Sequence, residues 1–258
     1  MVDVSVIGCG NMGRALVRGL TIAGYQNVTV CDVDPGALDA ISALDVETTT
    51  EPAEATDADV VFLAVKPGLV VPVLENLELS AAQTVVSIAA GVPTSLVAHH
   101  TDATVVRVMP NLAAEWGSMA AAITGETIDE ELLTMLNDVG AVVELDESQM
   151  DTATAVNGSG PAFVFYLIKA VVDAGIEQGL DPADARVLAA QTFKGAAETV
   201  LHADASLDEL IDAVCSPKGT TIEGMAVLEE SNVDAVLAKA VEAAEHRATE
   251  LSMEVVNE

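Results

Sequence analysis

Apolar residues in the first half of the chain fall into short, β-branched runs. They are Val4, Val6 and Ile7; Val28–Cys31; residues 59–65 (DVVFLAV); residues 84–90 (TVVSIAA); and Thr104–Met109. Runs this continuous predict parallel strands covered on both faces. A weaker strand is read at 46–48, and two more at 120–123 and 141–145. Between them, residues 14–20, 37–43, 68–77 and 129–138 carry helical spacing. After about Glu147 the two-residue alternation stops. Phe163, Leu167 and Val171 recur at helical spacing, as do Ile211 with Val214 and Leu237 with Val241. Breaks fall at 157–161, 179–182, 204–206 and 216–219, where Gly, Pro, Ser, Asn and Asp gather. The pattern predicts an α/β chain in two parts. Residues 1–147 form a doubly wound, Rossmann-type sheet, and residues 148–258 form an all-helical domain.

The first strand runs directly into Gly8-Cys9-Gly10-Asn11-Met12-Gly13 and then into a helix. Strand, GxGxxG and helix in that order form the dinucleotide fingerprint. Gly8 allows the tight turn, Gly10 lets the backbone approach a pyrophosphate, and Gly13 lets helix and strand pack closely. The free N–H groups at the helix start would hold the phosphates. Asp32 ends the second strand about twenty residues after Gly13, where this fold places the group that meets the adenosine ribose. A charged hydrogen bond there contributes about 1.5–3 kcal/mol. Asp32 has a plainer reading too, as the residue that starts the next helix with Asp34, Pro35 and Gly36. The strand reaching Ala64 and Val65 ends in Lys66-Pro67, and the next ends near Gly91, so both deliver loops to the cofactor edge of a parallel sheet.

Composition narrows the picture. Apolar residues make up 51% of the 258 and aromatics only 3%, so the core is built from Val, Ala, Leu and Ile. Forty-one acids against ten Lys and Arg give a net charge of −31, spread along the chain rather than held in a tail. That predicts an acidic surface over a folded body, without affinity for nucleic acid or anionic membranes. It also predicts adaptation to high salt, where the Debye length shrinks to roughly 3 Å at 1 M and self-repulsion is screened. Cys9, Cys31 and Cys215 form no CxxC pair, which predicts a reduced, cytoplasmic chain. His99, His100, His202 and His246 show no metal-ligand spacing, and no metal site is expected. The first apolar run is read as a strand rather than a leader. No membrane span is expected, since the longest ambiguous stretch, 161–172, carries Lys169. The helical part holds more apolar surface than about 110 residues bury alone, and Ala185, Ala189, Ala190, Ala196 and Ala197 allow close helix approach. Self-association through this part follows.

A second constellation lies at Cys215-Ser216-Pro217-Lys218-Gly219-Thr220-Thr221-Ile222. Hydroxyls and free N–H groups at a helix start make an anion cradle, worth roughly 0.3–1 kcal/mol for a carboxylate from the dipole, up to ~2 if partly buried. Alone, the same residues also read as an ordinary helix cap.

Across its length the chain resembles the pyrroline-5-carboxylate reductases. The motifs are GCGNMG at 8–13, AVKP at 64–67, SIAAGV at 87–92, VMPN at 108–111, GSGPAF at 158–163 and SPKGTTIEGMAVLE at 216–229, the last resembling a signature that usually reads SPGGTT. The resemblance implies a Rossmann domain followed by a helical dimerisation domain. It implies reduction of 1-pyrroline-5-carboxylate to L-proline with NADPH or NADH, in a homodimer or an oligomer of dimers. The Thr221 hydroxyl would bond the ring nitrogen, while Ser216, Gly219 and Thr220 hold the substrate carboxylate. Ile7, Gly8, Cys9, Gly10, Asn11, Met12 and Gly13 would contact the pyrophosphate and Asp32 the ribose. Ala64, Val65, Lys66, Pro67, Ile88, Ala89 and Ala90 would line the remaining cofactor, and Glu147 matches a position near the substrate. Three departures stand out: Lys218 for a glycine, Leu112-Ala113 for Thr-Pro, and Asn157 for Ser. A lysine at 218 is strained if that position needs a positive φ; if it does not, its ammonium is placed to help hold the carboxylate. Two other readings remain in view. A β-hydroxyacid dehydrogenase would need a lysine followed four residues on by asparagine, whereas Lys169 is followed by Asp173. A non-catalytic dinucleotide sensor is the other.

Overall fold

The computed structural model describes residues 2–257. Met1 and Glu258, the outer limits of the two expected domains, lie outside the described residues. The chain divides into two compact units, Met1–Ser159 together with Glu242–Glu258, and Gly160–Val241. The compactness boundary therefore falls twelve residues beyond Glu147, and the end of the last helix returns to the first unit.

In the first unit the order is β1 (Val4–Ile7), α1 (Asn11–Ala23), β2 (Val28–Cys31), α2 (Pro35–Asp39), β3 (Glu47–Thr49), β4 (Val60–Leu63), α3 (Val70–Leu74), β5 (Thr84–Ser87), α4 (Thr94–Ala98), β6 (Thr104–Met109), β7 (Met119–Gly125), α5 (Glu130–Val139), β8 (Gly140–Glu144) and α6 (Met150–Ala153). The strands form one eight-stranded sheet in the order β3-β2-β1-β4-β5-β6-β7-β8. Every pairing is parallel except β6 with β7. Strand order reverses at β1, which lies between β2 and β4, and ligands of doubly wound sheets bind at that switch point.

The apolar runs fill both faces. Val4, Val6, Val60, Phe62 and Val86 belong to one buried cluster with α1 and α5, while Ile7, Val61, Leu63 and Val85 belong to another with α3. Successive strand residues point to opposite faces, so a strand covered on both sides has no use for polar positions. β3, at one edge, carries Glu47, Thr48 and Thr49 instead.

Strands are shorter than their apolar runs, since residues 64–65 and 88–90 leave the sheet as loops. The helix expected at 37–43 runs over Pro35–Asp39, because Asp34 accepts a hydrogen bond from the Gly36 N–H and Pro35 fits the first helical position. The helix expected at 68–77 splits into a 3-10 turn, Pro67–Leu69, and α3. α4 and a 3-10 turn at Leu112–Trp116 were not anticipated. Five residues are too few to show a helical period.

The second unit holds α7 (Gly160–Glu177), α8 (Pro182–His202), α9 (Leu207–Val214), α10 (Thr220–Glu229) and the first part of α11 (Val233–Asn257). Ala185 and Ala189 are buried, and a Cβ on Gly175 of α7 would stand 3.6 Å from the Ala185 Cβ, so small residues do let α7 and α8 close up. Large apolar side chains elsewhere in the unit face outward, among them Phe165, Tyr166, Val187, Leu188, Leu201 and Val214. By length and composition alone, the helical run 147–177 is apolar enough to cross a membrane, with mean hydropathy 1.4, which the expectation from 161–172 did not foresee.

Candidate coenzyme and substrate sites

The residues expected to meet the coenzyme converge at the carboxyl ends of β1, β2, β4 and β5. The Gly8 N–H donates to the Cys31 carbonyl at 2.8 Å, the Ala64 N–H to the Ile7 carbonyl at 2.8 Å, and the Ile88 N–H to the Leu63 carbonyl at 3.1 Å. These bonds bring Ile7–Gly13, Asp32, Ala64–Pro67 and Ile88–Ala90 to one edge of the sheet. Ile88 and Ala89 are buried in the core, so only their backbone faces the edge.

Each glycine of the fingerprint has its own reason. Gly8 sits at φ 105, where a Cβ would strike the Ala64 carbonyl oxygen at 2.6 Å. A Cβ on Gly13 would meet the Gly8 carbonyl oxygen at 2.0 Å. Gly10 differs: its φ is −72, and a Cβ there would meet nothing within 4 Å. Neither backbone strain nor the chain's own packing requires glycine at position 10. The open space leaves that backbone accessible to an incoming group. α1 begins beside it without a side-chain cap, its first helical bond running from the Arg14 N–H to the Gly10 carbonyl, so the N–H groups of Asn11, Met12 and Gly13 lie ahead of the ladder. The residues present fit a dinucleotide pyrophosphate.

Asp32 is held from both sides. Oδ2 accepts from the Cys9 N–H at 2.7 Å and Oδ1 from the Asp34 N–H at 2.9 Å. Burial, and then the Asp32 charge, push the Cys9 thiol up from its usual value; the same two causes push Cys31 up to about 11. Both thiols are buried and stay protonated at neutral pH. Lys66 is exposed.

Glu147 lies in the first unit, and its side chain is spoken for. Oε1 accepts from Arg107 Nη1 at 2.7 Å and Oε2 from the Thr94 hydroxyl at 2.7 Å. Arg107, 4% exposed, also faces Asp151 at 3.5 Å, and Asp151 accepts from the Ser252 hydroxyl at 3.1 Å. Sequence reasoning missed Arg107, although one charge inside the apolar run TVVRVM was its signal. Ser252 belongs to the returning end of α11, whose backbone approaches so near that a Cβ on Gly91 would stand 2.9 Å from the Ser252 nitrogen. Asn157 donates to the Met109 and Ala120 carbonyls at 2.6 and 2.9 Å, and its buried Oδ1 has no partner. A serine is too short to bridge β6 and β7 in this way. The departure from the family residue thus joins two strands at the cost of one orphaned acceptor.

Ser216–Thr221 lies in the second unit, between α9 and α10. The Gly219 N–H donates to the Ser216 carbonyl at 2.9 Å, which closes a four-residue turn. Pro217 occupies its second position and Lys218, at φ 61, its third. That is a type II turn, whose third position demands a positive φ and therefore favours glycine. Lys218 is the only non-glycine residue with positive φ among the described residues. Gly219 caps α10 without a side chain; a Cβ there would lie 2.4 Å from the Ser216 Oγ. The first N–H groups of α10 and the hydroxyls of Ser216, Thr220 and Thr221 thus share one short segment. Lys169 pairs with Asp173 on an exposed part of α7, an i,i+4 ion pair. Among the described residues, no group of three or more His, Cys, Asp or Glu is placed to hold a metal ion.

Comparison with known proteins agrees with this geometry. The family model described as pyrroline-5-carboxylate reductase dimerisation matches residues 147–251, and the one described as NADP oxidoreductase coenzyme F420-dependent matches residues 3–91. A pyrroline-5-carboxylate reductase of Methanosarcina acetivorans is 40% identical, over 96% of this chain and 97% of that protein. The structure of a pyrroline-5-carboxylate reductase from Coxiella burnetii superposes with a TM-score of 0.87 at 34% identity, covering 97% of this chain and 98% of that one. The Plasmodium falciparum pyrroline carboxylate reductase, crystallised with NADP bound, gives a TM-score of 0.84 at 26% identity over 97% of this chain and 98% of that one. An N-terminal dinucleotide loop, a C-terminal SPKGTT turn and full-length likeness at 40% identity lead to one conclusion: this chain belongs to the pyrroline-5-carboxylate reductase family.

Proposed function

We propose that the protein reduces 1-pyrroline-5-carboxylate to L-proline at the expense of NAD(P)H. The single observation that carries this reading is the Ser216–Thr221 turn, with its clustered hydroxyls and uncapped helix start, in a chain whose other unit bears the dinucleotide loop. Bound at that loop, a nicotinamide coenzyme supplies hydride. The chain's own part is positional. Asn11, Met12 and Gly13 offer N–H groups to the pyrophosphate, Asp32 accepts from the adenosine ribose, and Ala64–Pro67 with Ile88–Ala90 border the rest. Ser216, Gly219 and Thr220 hold the substrate carboxylate, and the Thr221 hydroxyl bonds the ring nitrogen. A protonated C=N is already strongly electrophilic, so orientation and exclusion of water suffice, with no strong acid required. Glu147 acts indirectly, through the Arg107 it fixes.

In this reading residues 1–147 serve the coenzyme and residues 148–258 the substrate and the dimer. A second copy of the chain covers the outward apolar side chains of the helical unit, which accounts for an apolar 147–177 run without a lipid bilayer. The enzyme works in the cytoplasm, without nucleic-acid or membrane partners. Its net charge of −31 fits a salt-rich interior, and stability that is equal at about 50 mM and 2 M KCl would refute that adaptation. The test of the reading is Thr221→Ala. It lowers kcat/KM for 1-pyrroline-5-carboxylate by about tenfold or more, some 1.4 kcal/mol of transition-state stabilisation, and leaves coenzyme affinity intact. An unchanged kcat/KM removes Thr221 from the chemistry.

A further inference from the structure

We infer that this protein selects NADH over NADPH, and that Asp32 makes the selection. The inference rests on the coenzyme reading above and goes beyond it, since the two coenzymes differ only by a phosphate on the adenosine 2′-oxygen.

The Asp32 carboxylate does not swing freely. The Cys9 N–H holds one oxygen at 2.7 Å and the Asp34 N–H the other at 2.9 Å. One of those donors belongs to the glycine loop itself, so the carboxylate is fixed relative to the place where the pyrophosphate is read. A carboxylate offers about four acceptor positions, and two are used, so each oxygen keeps one for an incoming donor. The ribose hydroxyls of NADH are donors. A 2′-phosphate presents only acceptor oxygens and up to two negative charges, and it would meet an anion tethered by two backbone bonds. Rotating Asp32 away would break both.

The segment that carries Asp32 gives the phosphate no counter-charge. From residue 28 to residue 60 the sequence has no Lys, Arg or His, and it has Asp32, Asp34, Asp39, Glu51 and Glu54 among its acids. Asp32, Glu51 and Glu54 all bear on the Cys31 thiol, which shows how tightly these charges gather around the end of β2. Val33, the next residue after Asp32, is 76% exposed and apolar. A competing cation is Arg14, one turn into α1, whose charge reaches the Cys9 thiol; its guanidinium donates to the Asn11 side chain at 2.7 Å.

The test is isothermal titration calorimetry of the full-length protein with NADH and with NADPH, without imine substrate, at about 1 M KCl, where only near-contact charges escape screening. Wild type binds NADH at least about fivefold tighter, roughly 1 kcal/mol. Asp32→Ala weakens NADH and brings the two dissociation constants within about twofold. Should that variant misfold, Val33→Arg carries the test, since it leaves both Asp32 bonds in place: NADPH affinity rises about fivefold or more while NADH moves less than twofold. Wild type that binds NADPH as tightly as NADH overturns the inference and leaves the coenzyme site standing. So does Arg14→Ala weakening NADPH alone, which would reveal a phosphate ligand on α1. Binding of neither coenzyme overturns the site and the inference together.

Discussion

The first turn of α1 lies in backbone contact with the bend that ends β1: a Cβ on Gly13 would stand 2.0 Å from the Gly8 carbonyl oxygen. Gly10, three residues earlier, has open space where its Cβ would be. Gly13 therefore answers to the chain, whereas the proposed coenzyme is what would answer to Gly10, and substitution separates the two. Gly13→Ala forces strand and helix apart, costs about 3 kcal/mol, and lowers the melting temperature by some 6 °C or more. Gly10→Ala keeps the melting temperature within about 2 °C and weakens coenzyme binding about tenfold or more. Thermal melts and titration calorimetry read the two effects, and a Gly10→Ala protein with wild-type coenzyme affinity contradicts the placement of the pyrophosphate.

Arg107 ties β6 to the start of the helical run through Glu147 and Asp151. Removing one partner from a buried ion pair costs about 3–5 kcal/mol, because the others are left without counter-charge. Arg107→Met is expected to lose stability on that scale in chemical denaturation. Glu147→Gln, at a partly exposed position that still hydrogen-bonds, lowers the midpoint less and moves KM for the imine by less than about twofold. A large rise in KM with an unchanged melting temperature would make Glu147 a direct substrate ligand instead.

Lys218 stands where a type II turn asks for glycine. A left-handed conformation costs a residue with a Cβ roughly 1–2 kcal/mol, so Lys218→Gly recovers up to about 1 kcal/mol, less the extra freedom glycine gains when unfolded. The same change removes a cation from the turn proposed to hold the substrate carboxylate, and KM for 1-pyrroline-5-carboxylate is expected to rise. A variant more stable and weaker in substrate binding is the expected result. One that gains neither stability nor KM shows that the lysine is tolerated without consequence.

Tyr25 donates to Asp138 at 2.9 Å, and burial first, then that bond, push its hydroxyl up to about 12. The folded state therefore holds this proton more tightly than the unfolded chain, which releases it near pH 10. The stabilisation is complete below pH 10 and is lost as pH rises through about 12. Denaturation midpoints should fall across that window, and Tyr25→Phe should remove that part of the fall. A wild-type slope that persists in Tyr25→Phe refutes the assignment.

Much of the first unit was legible because its chemistry is local. Val4, Val6, Val60–Leu63 and Val85 announce buried parallel strands with no help from distant residues, and the spacing of Gly8 and Gly13 announces the tight turn and the close helix packing. The Ser216–Thr221 turn was legible through Pro217 and Gly219, and the cost of Lys218 followed once its φ was known. What escaped depends on residues far apart in sequence. Nothing near Ser252 says that α11 turns back to Gly91 and Asp151. Glu147 gave no sign that Arg107 and Thr94 would occupy both its oxygens. Asn157 read as a simple departure until its two strand carbonyls were in view. Five-residue helices such as α4 carry too little periodicity to register at all.

The most direct test mixes the purified protein with 1-pyrroline-5-carboxylate and NADH, then with NADPH, and follows absorbance at 340 nm while L-proline is measured in the same reaction. The account predicts coenzyme oxidation that depends on the imine, with one proline formed for each nicotinamide oxidised. Steady absorbance with both coenzymes, in a protein shown to bind them, would contradict it.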